Sequence, residues 1–292
     1  MATAITFIGL GVMGYPMAAH LARQESFSVT VYNRTQDKAQ EWARLNSGES
    51  AGTIAGAVRE ADVVITCVGA DPDLRSIYCG DDGIIANAAT GALLIDHTTA
   101  SAGVAEELSE LALQRGLLFL DAPVSGGQQG AENAALTIMC GGDARAFTRA
   151  RPIMDCYARA MNLMGGTGSG QLTKMVNQIT VAGLLQGLSE GIHFAETSGL
   201  DVEKVIEVIS QGAAQSWQMD NRASTMIEGE YNHGFAVDWM RKDLAICLQE
   251  ARDRGASLPA SALIDQFYAD VQALGGGRWD TSSLLERLRA RS

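Results

Sequence analysis

Residues 4–14 read AITFIGLGVMG, an apolar, strand-prone run that meets three glycines, Gly9, Gly11 and Gly14, in the spacing G-x-G-x-x-G. The spacing alone is a weak signal. Its context is not, because a strand turning through glycine into a helix is the opening of a dinucleotide-binding βαβ unit. Gly9 permits the tight turn, Gly11 lets the backbone approach a pyrophosphate, and Gly14 lets the helix pack close to the strand. Phosphates would face the N–H groups and positive end of that helix.

The first half of the chain repeats the alternation. Near-continuous apolar runs at residues 5–8, 29–32, 63–68, 93–96, 117–120 and 135–140 are separated by helix-like stretches such as 16–24 and 36–45. Short runs without polar alternation suit strands covered on both faces, hence a mostly parallel sheet. GGTGSG at 165–170 interrupts the pattern, and a long helix is expected over 171–198, with Gly199 at its C-cap. Beyond it only helices are read, near 202–212, 238–254, 260–275 and 282–291, with Asp201 and Asp238 as N-caps. The expected fold is α/β: a Rossmann-type, mostly parallel sheet domain in residues 1–165, then an all-α substrate and oligomerisation domain in 166–292 that begins with the long connecting helix. That helix carries Gly183, Gly187 and Gly191, each costing about 1 kcal/mol against Ala. The expense is tolerable if another helix, from this chain or a second subunit, crosses very close.

Of 292 residues, 47% are apolar, enough to fill the cores of two ordinary domains. The formal net charge of -12, with no basic block, argues against nucleic acid as a partner. No uninterrupted run of 18 apolar residues suggests a membrane span. Five cysteines without a CxxC pair read as free thiols in a reducing compartment, and a cytoplasmic protein is expected. Spaced Cys/His ligands are missing, so no metal site is expected.

The second strand-like run ends in VYNRT, residues 31–35. A cofactor without a 2′-phosphate normally meets an Asp or Glu here. Asn33 and Arg34 stand there instead. No carboxylate repels a 2′-phosphate, and Arg34 can hold it with charge-assisted bonds, so NADP(H) is favoured and NAD(H) remains possible. Met13, Thr35 and Val68 are assigned to the same cofactor contact. Thr99 follows the run LLID and should border the nicotinamide, since ligands of open parallel sheets lie beyond the carboxyl ends of strands. His97 is a packing residue or, less readily, a base.

Hydride transfer also needs a group that exchanges the hydroxyl proton. Two segments suit it. In DAPVSGG, residues 121–127, Ser125, Gly126 and Gly127 offer a hydroxyl and consecutive N–H groups able to cradle a carboxylate. In GQLTKMVNQ, residues 170–178, Lys174, Asn177 and Gln178 share one helix face. Partial burial and the charge of an oxidised nicotinamide would lower the pKa of Lys174 toward the range useful for acid–base work. A snorkelling surface lysine is the alternative from the residues alone. Lys242 in RKDL either contacts cofactor or substrate or is helix-surface charge beside Asp243.

Taken together, GLGVMGYPMA, VYNRT, DAPVSGG, GQLTKMVNQ and RKDL resemble, in order, the motifs of the β-hydroxyacid dehydrogenase family, which includes 3-hydroxyisobutyrate dehydrogenase, tartronate semialdehyde reductase and NAD(P)-dependent L-serine dehydrogenase. The resemblance runs from residue 9 to residue 244. It implies catalysis by Lys174, substrate anchoring by Ser125, Gly126 and Gly127, helix amides at Asn177 and Gln178, and a Lys242 near cofactor and substrate. Many members have Asn-Asn where this chain has Asn177-Gln178. The resemblance further implies a homodimer or homotetramer and reversible oxidation of a small 3-hydroxy carboxylate, of 3-hydroxyisobutyrate or L-serine type, to its semialdehyde. A glyoxylate or succinic semialdehyde reductase would use the same groups. A non-catalytic NADP(H) sensor would keep the glycines and need no Lys174.

Overall fold

The computed structural model describes residues 2–290. The chain divides into two compact units, residues 1–174 and 175–292. The first therefore takes in the opening turns of the long helix, nine residues beyond the expected boundary at 165.

Nine strands build the sheet of the first unit: β1 (Thr3–Ile8), β2 (Phe27–Tyr32), β3 (Glu49–Ser50), β4 (Val63–Thr66), β5 (Leu93–Asp96), β6 (Leu118–Asp121), β7 (Val124–Ser125), β8 (Leu136–Gly142) and β9 (Ala158–Gly165). Their order is β3-β2-β1-β4-β5-β6-β8-β7, with β9 added on β8. All pairs from β3 to β6 are parallel. β8 then runs antiparallel to β6 and β7, and β9 parallel to β8. The central strands are apolar on both faces, as the continuous runs require. Ile5, Phe7, Val63, Ile65, Leu93 and Ile95 feed one core, while Ile8, Val64 and Leu94 feed the other. Alternate side chains of one strand point to opposite faces, so each strand serves two cores.

β3, β7 and β9 were not expected. β9 is an edge strand whose side chains are mostly half-buried or exposed, so it carries no apolar signature. Two further expectations are corrected. The last helix, expected over 282–291, is a 3₁₀ turn Thr281–Ser283 followed by helix Leu284–Arg289, and Arg291 lies outside the described residues. Asp238 is not an N-cap: Ala236 holds that position, and the Asp238 carboxylate accepts from Gln272.

The long helix spans Ser169–Thr197 and joins the sheet domain to the helical domain. Gly199 follows it with φ +71°, in the left-handed conformation its C-terminal turn requires. In the second unit come helices Val202–Ile209, Trp217–Glu228, Val237–Arg254 and Pro259–Ala273. Asp201 caps the first through the Lys204 N–H. Helix Trp217–Glu228 went unread because only Met219, Ala223 and Met226 are buried along a mostly polar segment. Among the described residues the glycine row has no close crossing partner: a Cβ at Gly183, Gly187 or Gly191 would meet nothing within 4 Å. The three glycines instead floor an apolar groove of about 580 Å³, walled by Leu184, Leu188, Val205 and Ile209.

The five cysteines are thiols rather than disulfides; Cys140 and Cys247 are buried, and the others half-buried. Among the described residues no helix is long and apolar enough to cross a membrane.

Candidate active site

The three glycines after β1 have different reasons to be glycine. Gly9 adopts φ +99°, and a Cβ there would collide with the Cys67 carbonyl and stand 3.2 Å from Val68 Cγ1. At Gly14 a Cβ would strike the Gly9 carbonyl oxygen and come within 2.9 Å of the Phe7 ring. Gly11 is exposed, and a Cβ there would meet nothing within 4 Å. Packing thus explains the first and third glycines, while the second faces open space. Helix Gly14–Ala22 starts there, with Met13 at its N-cap making no side-chain capping bond. An uncapped helix start beneath an open glycine fits a dinucleotide pyrophosphate.

Asn33 Oδ1 accepts the Leu10 N–H at 3.0 Å, and its Nδ2 donates to the Thr35 carbonyl at 3.0 Å. The loop after β2 is therefore fastened to the glycine turn. Arg34 is extended into solvent, its side chain 93% exposed. One expectation needs correction: a carboxylate is near, because Asp73 lies 3.9 Å from the Arg34 guanidinium. An exposed pair at that distance is worth at most about 1 kcal/mol, so it leaves Arg34 able to turn toward an anion.

The ends of β4, β5 and β6 form a connected polar layer. Asp96 Oδ1 accepts from the Thr66 hydroxyl at 2.7 Å and the Thr98 N–H at 3.1 Å, and the Thr98 hydroxyl accepts the Val68 N–H at 3.0 Å. Burial pushes the Asp96 carboxyl up to about 7. His97 is not poised as a base. Its ring is buried between the Ala122 carbonyl at 2.6 Å and the Tyr157 hydroxyl at 2.8 Å, and burial pushes it down to about 4. Thr99 is half-buried on the same loop.

Ser125 closes β7, in register with Thr137 of β8. Gly126 and Gly127 follow at φ +130° and +61°, conformations that favour glycine, and open the short helix Gly127–Glu132. Lys174 lies on the opening turns of the long helix in the same unit and is only 7% exposed, so it is not a snorkelling surface lysine.

In the second unit, the other expected residues are tied together by a carboxylate, Asp243, to which the sequence assigned no role of its own. Asn177 Nδ2 donates to Gln178 Oε1 at 2.8 Å, and Gln178 Nε2 donates to Asp243 Oδ2 at 2.5 Å. Lys242 Nζ lies 2.9 Å from Asp243 Oδ1 and 5.9 Å from the Trp239 ring centroid. The Asp243 side chain is 2% exposed, so it is no surface ion. Among the described residues no group of three or more His, Cys, Asp or Glu is arranged to hold a metal.

Residues 4–166 match the family described as the NAD binding domain of 6-phosphogluconate dehydrogenase. Residues 168–288 match that described as the NAD-binding of NADP-dependent 3-hydroxyisobutyrate dehydrogenase. An uncharacterized oxidoreductase of Shewanella frigidimarina is 58% identical over 97% of both chains. The 2-hydroxy-3-oxopropionate reductase of Escherichia coli is 33% identical over 97% of this chain and 96% of its own. Among solved structures, Mycobacterium tuberculosis 3-hydroxyisobutyrate dehydrogenase with L-serine superposes with a TM-score of 0.90 at 31% identity, covering 99% of this chain and 100% of that one. With an NAD(P)-binding sheet domain, an all-helical second domain and both family matches in order, the chain belongs to the 3-hydroxyisobutyrate dehydrogenase family of NAD(P)-dependent oxidoreductases.

Proposed function

We propose that this oxidoreductase reversibly oxidises a small 3-hydroxy carboxylate, of the 3-hydroxyisobutyrate or L-serine type, to the semialdehyde, with NADP(H) preferred over NAD(H). The observation that carries the reading is the burial of Lys174 on the opening turns of the long helix. An ammonium group is not withdrawn from water without cause, and a chain that binds a nicotinamide nucleotide needs a proton donor for a developing alkoxide. A bound nicotinamide nucleotide supplies the hydride acceptor or donor. Lys174 takes the hydroxyl proton in oxidation and returns it in reduction. Ser125, Gly126 and Gly127 anchor the substrate carboxylate through a hydroxyl and backbone N–H groups. Asn177, Gln178 and Lys242 are further substrate contacts, held in fixed geometry by Asp243, and Lys242 also contacts the cofactor. Gly9, Gly11, Met13, Gly14, Asn33, Arg34, Thr35, Val68 and Thr99 line the cofactor.

The same residues serve a semialdehyde or glyoxylate reductase working in the opposite direction, a reading favoured by the likeness to 2-hydroxy-3-oxopropionate reductase. We also propose that the chain acts as a homodimer or homotetramer, with a second copy packed on the apolar groove floored by Gly183, Gly187 and Gly191. A panel of small 3-hydroxy acids and their aldehydes, run with NADP(H) and NAD(H), tests the activity. Lys174→Ala should lower kcat roughly 10²–10⁴-fold and leave NADPH affinity unchanged. NADPH binding without turnover on any member would instead mark a cofactor sensor.

A further inference from the structure

Asp121 ends β6 with its carboxylate under the start of the long helix. Oδ1 accepts the Gly168 N–H at 2.8 Å, and Oδ2 accepts the Gln171 N–H at 2.9 Å. Two glycines make this approach possible. A Cβ at Gly141 would stand 2.5 Å from Asp121 Oδ1, and one at Gly170 would stand 2.7 Å from Asp121 Oδ2. The helix therefore begins with its backbone seated directly on β6 and β8.

Gln171 adds a second fastening. Its side chain is fully buried. Oε1 accepts the Ala100 N–H at 3.0 Å, and Nε2 donates to the Thr98 carbonyl at 2.7 Å. The loop after β5 is thus joined to the first turn of the helix. Lys174 follows Gln171 by three residues, one turn higher and about 4.5 Å along the axis.

A surface Ser or Asp suffices to cap a helix. Here the chain instead buries a carboxylate completely, which carries a desolvation cost that a cap alone does not require. Burial pushes Asp121 up to about 6, against the helix N–H bonds that pull it down. Titratable groups facing it include Asp96, its partner across the β5–β6 register, and Cys140, whose thiol burial and then Asp121 push up to about 12. The arrangement specifies a position rather than maximising stability.

We infer that Asp121 and Gln171 are positioning residues for Lys174: they fix where the long helix starts, and so where the lysine amine stands relative to the Thr98–Ala100 loop. The inference rests on the reading of Lys174 as the proton-transfer group. It predicts that the clamp matters to the reaction only through the lysine.

The test compares the full-length protein with Asp121→Asn, Gln171→Met, Lys174→Ala and the two double variants, using 3-hydroxyisobutyrate and NADP⁺. Asn at 121 loses one of the two helix N–H bonds. Met at 171 keeps the volume, loses both loop bonds, and carries the test if the first variant does not fold. Each single clamp variant should lower kcat roughly 10–100-fold, as a misplacement of about 1 Å does, with KM and NADPH affinity shifted less than about threefold. Neither should slow Lys174→Ala any further. Hydrogen exchange at the amides of residues 170–174 should quicken about tenfold or more, and the acetylation rate of Lys174, read by mass spectrometry, should change with it. An unchanged kcat beside a Lys174→Ala that is inactive overturns the clamp while leaving the lysine assignment intact. So does an equal fold-loss in the Lys174→Ala background. If wild type and Lys174→Ala turn over alike, the lysine assignment fails instead; exchange and acetylation then decide the clamp, and unchanged values for both overturn it.

Discussion

Asn33 Oδ1 accepts the Leu10 N–H at 3.0 Å, so the loop after β2 and the glycine turn after β1 are one hydrogen-bonded piece. The residue that stands where a ribose-binding carboxylate is common has become a brace, and Arg34 beside it is exposed.

Arg34→Ala should raise the Kd for NADPH by roughly 10–100-fold, the worth of a charge-assisted bond, and that for NADH by less than threefold. Asn33→Asp keeps an acceptor for Leu10 but adds a negative charge beside the 2′-phosphate, so it should weaken NADPH and spare NADH. Fluorescence titration with both nucleotides measures this. Equal losses for the two cofactors would defeat the phosphate argument.

Gly11 and Gly14 should separate binding from folding. Gly14→Ala forces a methyl group against the Gly9 carbonyl and the Phe7 ring, and overpacking of this kind costs about 1–3 kcal/mol, visible as a lower Tm. Gly11→Ala places its methyl group in open space, so Tm should hold while NADPH affinity falls about tenfold or more. Calorimetry beside a binding titration reads both. A Tm loss at Gly11 equal to that at Gly14 would contradict the assignment.

Asp96 and His97 are neighbours whose burial works in opposite directions. The folded chain holds the Asp96 proton up to about pH 7, so this group adds stability as pH falls from about 7 toward 4, by up to about 4 kcal/mol. His97 is pushed down to about 4, so its contribution is present above pH 6.5 and lost as pH falls toward 4. Asp96→Asn keeps the oxygen that both the Thr66 hydroxyl and the Thr98 N–H use. Its Tm should match or exceed wild type at pH 8 and fall more steeply on acidification. Parallel Tm curves for the two proteins from pH 4.5 to 8 would refute the linkage.

Gly187→Ala should raise the stability of a single subunit by about 1 kcal/mol, because a methyl group there meets nothing within the chain. Gly187→Leu would fill the groove and should shift the sedimentation profile toward the monomer. An unaltered profile for the Leu variant would remove the groove as the subunit contact.

Much of this fold could be read from residue order because its signals are local. β5 is legible as Leu93–Asp96 since burial on both faces leaves four consecutive buried residues. β9 is not, because at an edge it needs no apolar pattern, and helix Trp217–Glu228 hides for the same reason. Gly9, Gly11, Gly14 and Lys174 stand in recognisable motifs, so residue order singles them out. Asp121 and Gln171 were missed as partners because 50 residues separate the carboxylate from the N–H it accepts. For Lys242 and Asp243 the sequence left surface charge and a site contact both open, because the burial of Asp243 depends on packing in the second unit.

The sheet's two margins are unequal. β3 offers two residues, while β9 offers eight, and an unpaired backbone row of that length is a template for another extended chain. Arg159 and Asn162 stand exposed along it and Gly165 breaks it at φ +149°. A charge and a break of this kind make the edge a poor partner for intermolecular strand pairing, so replacing Arg159 by a β-branched apolar residue should increase insoluble assembly on heating.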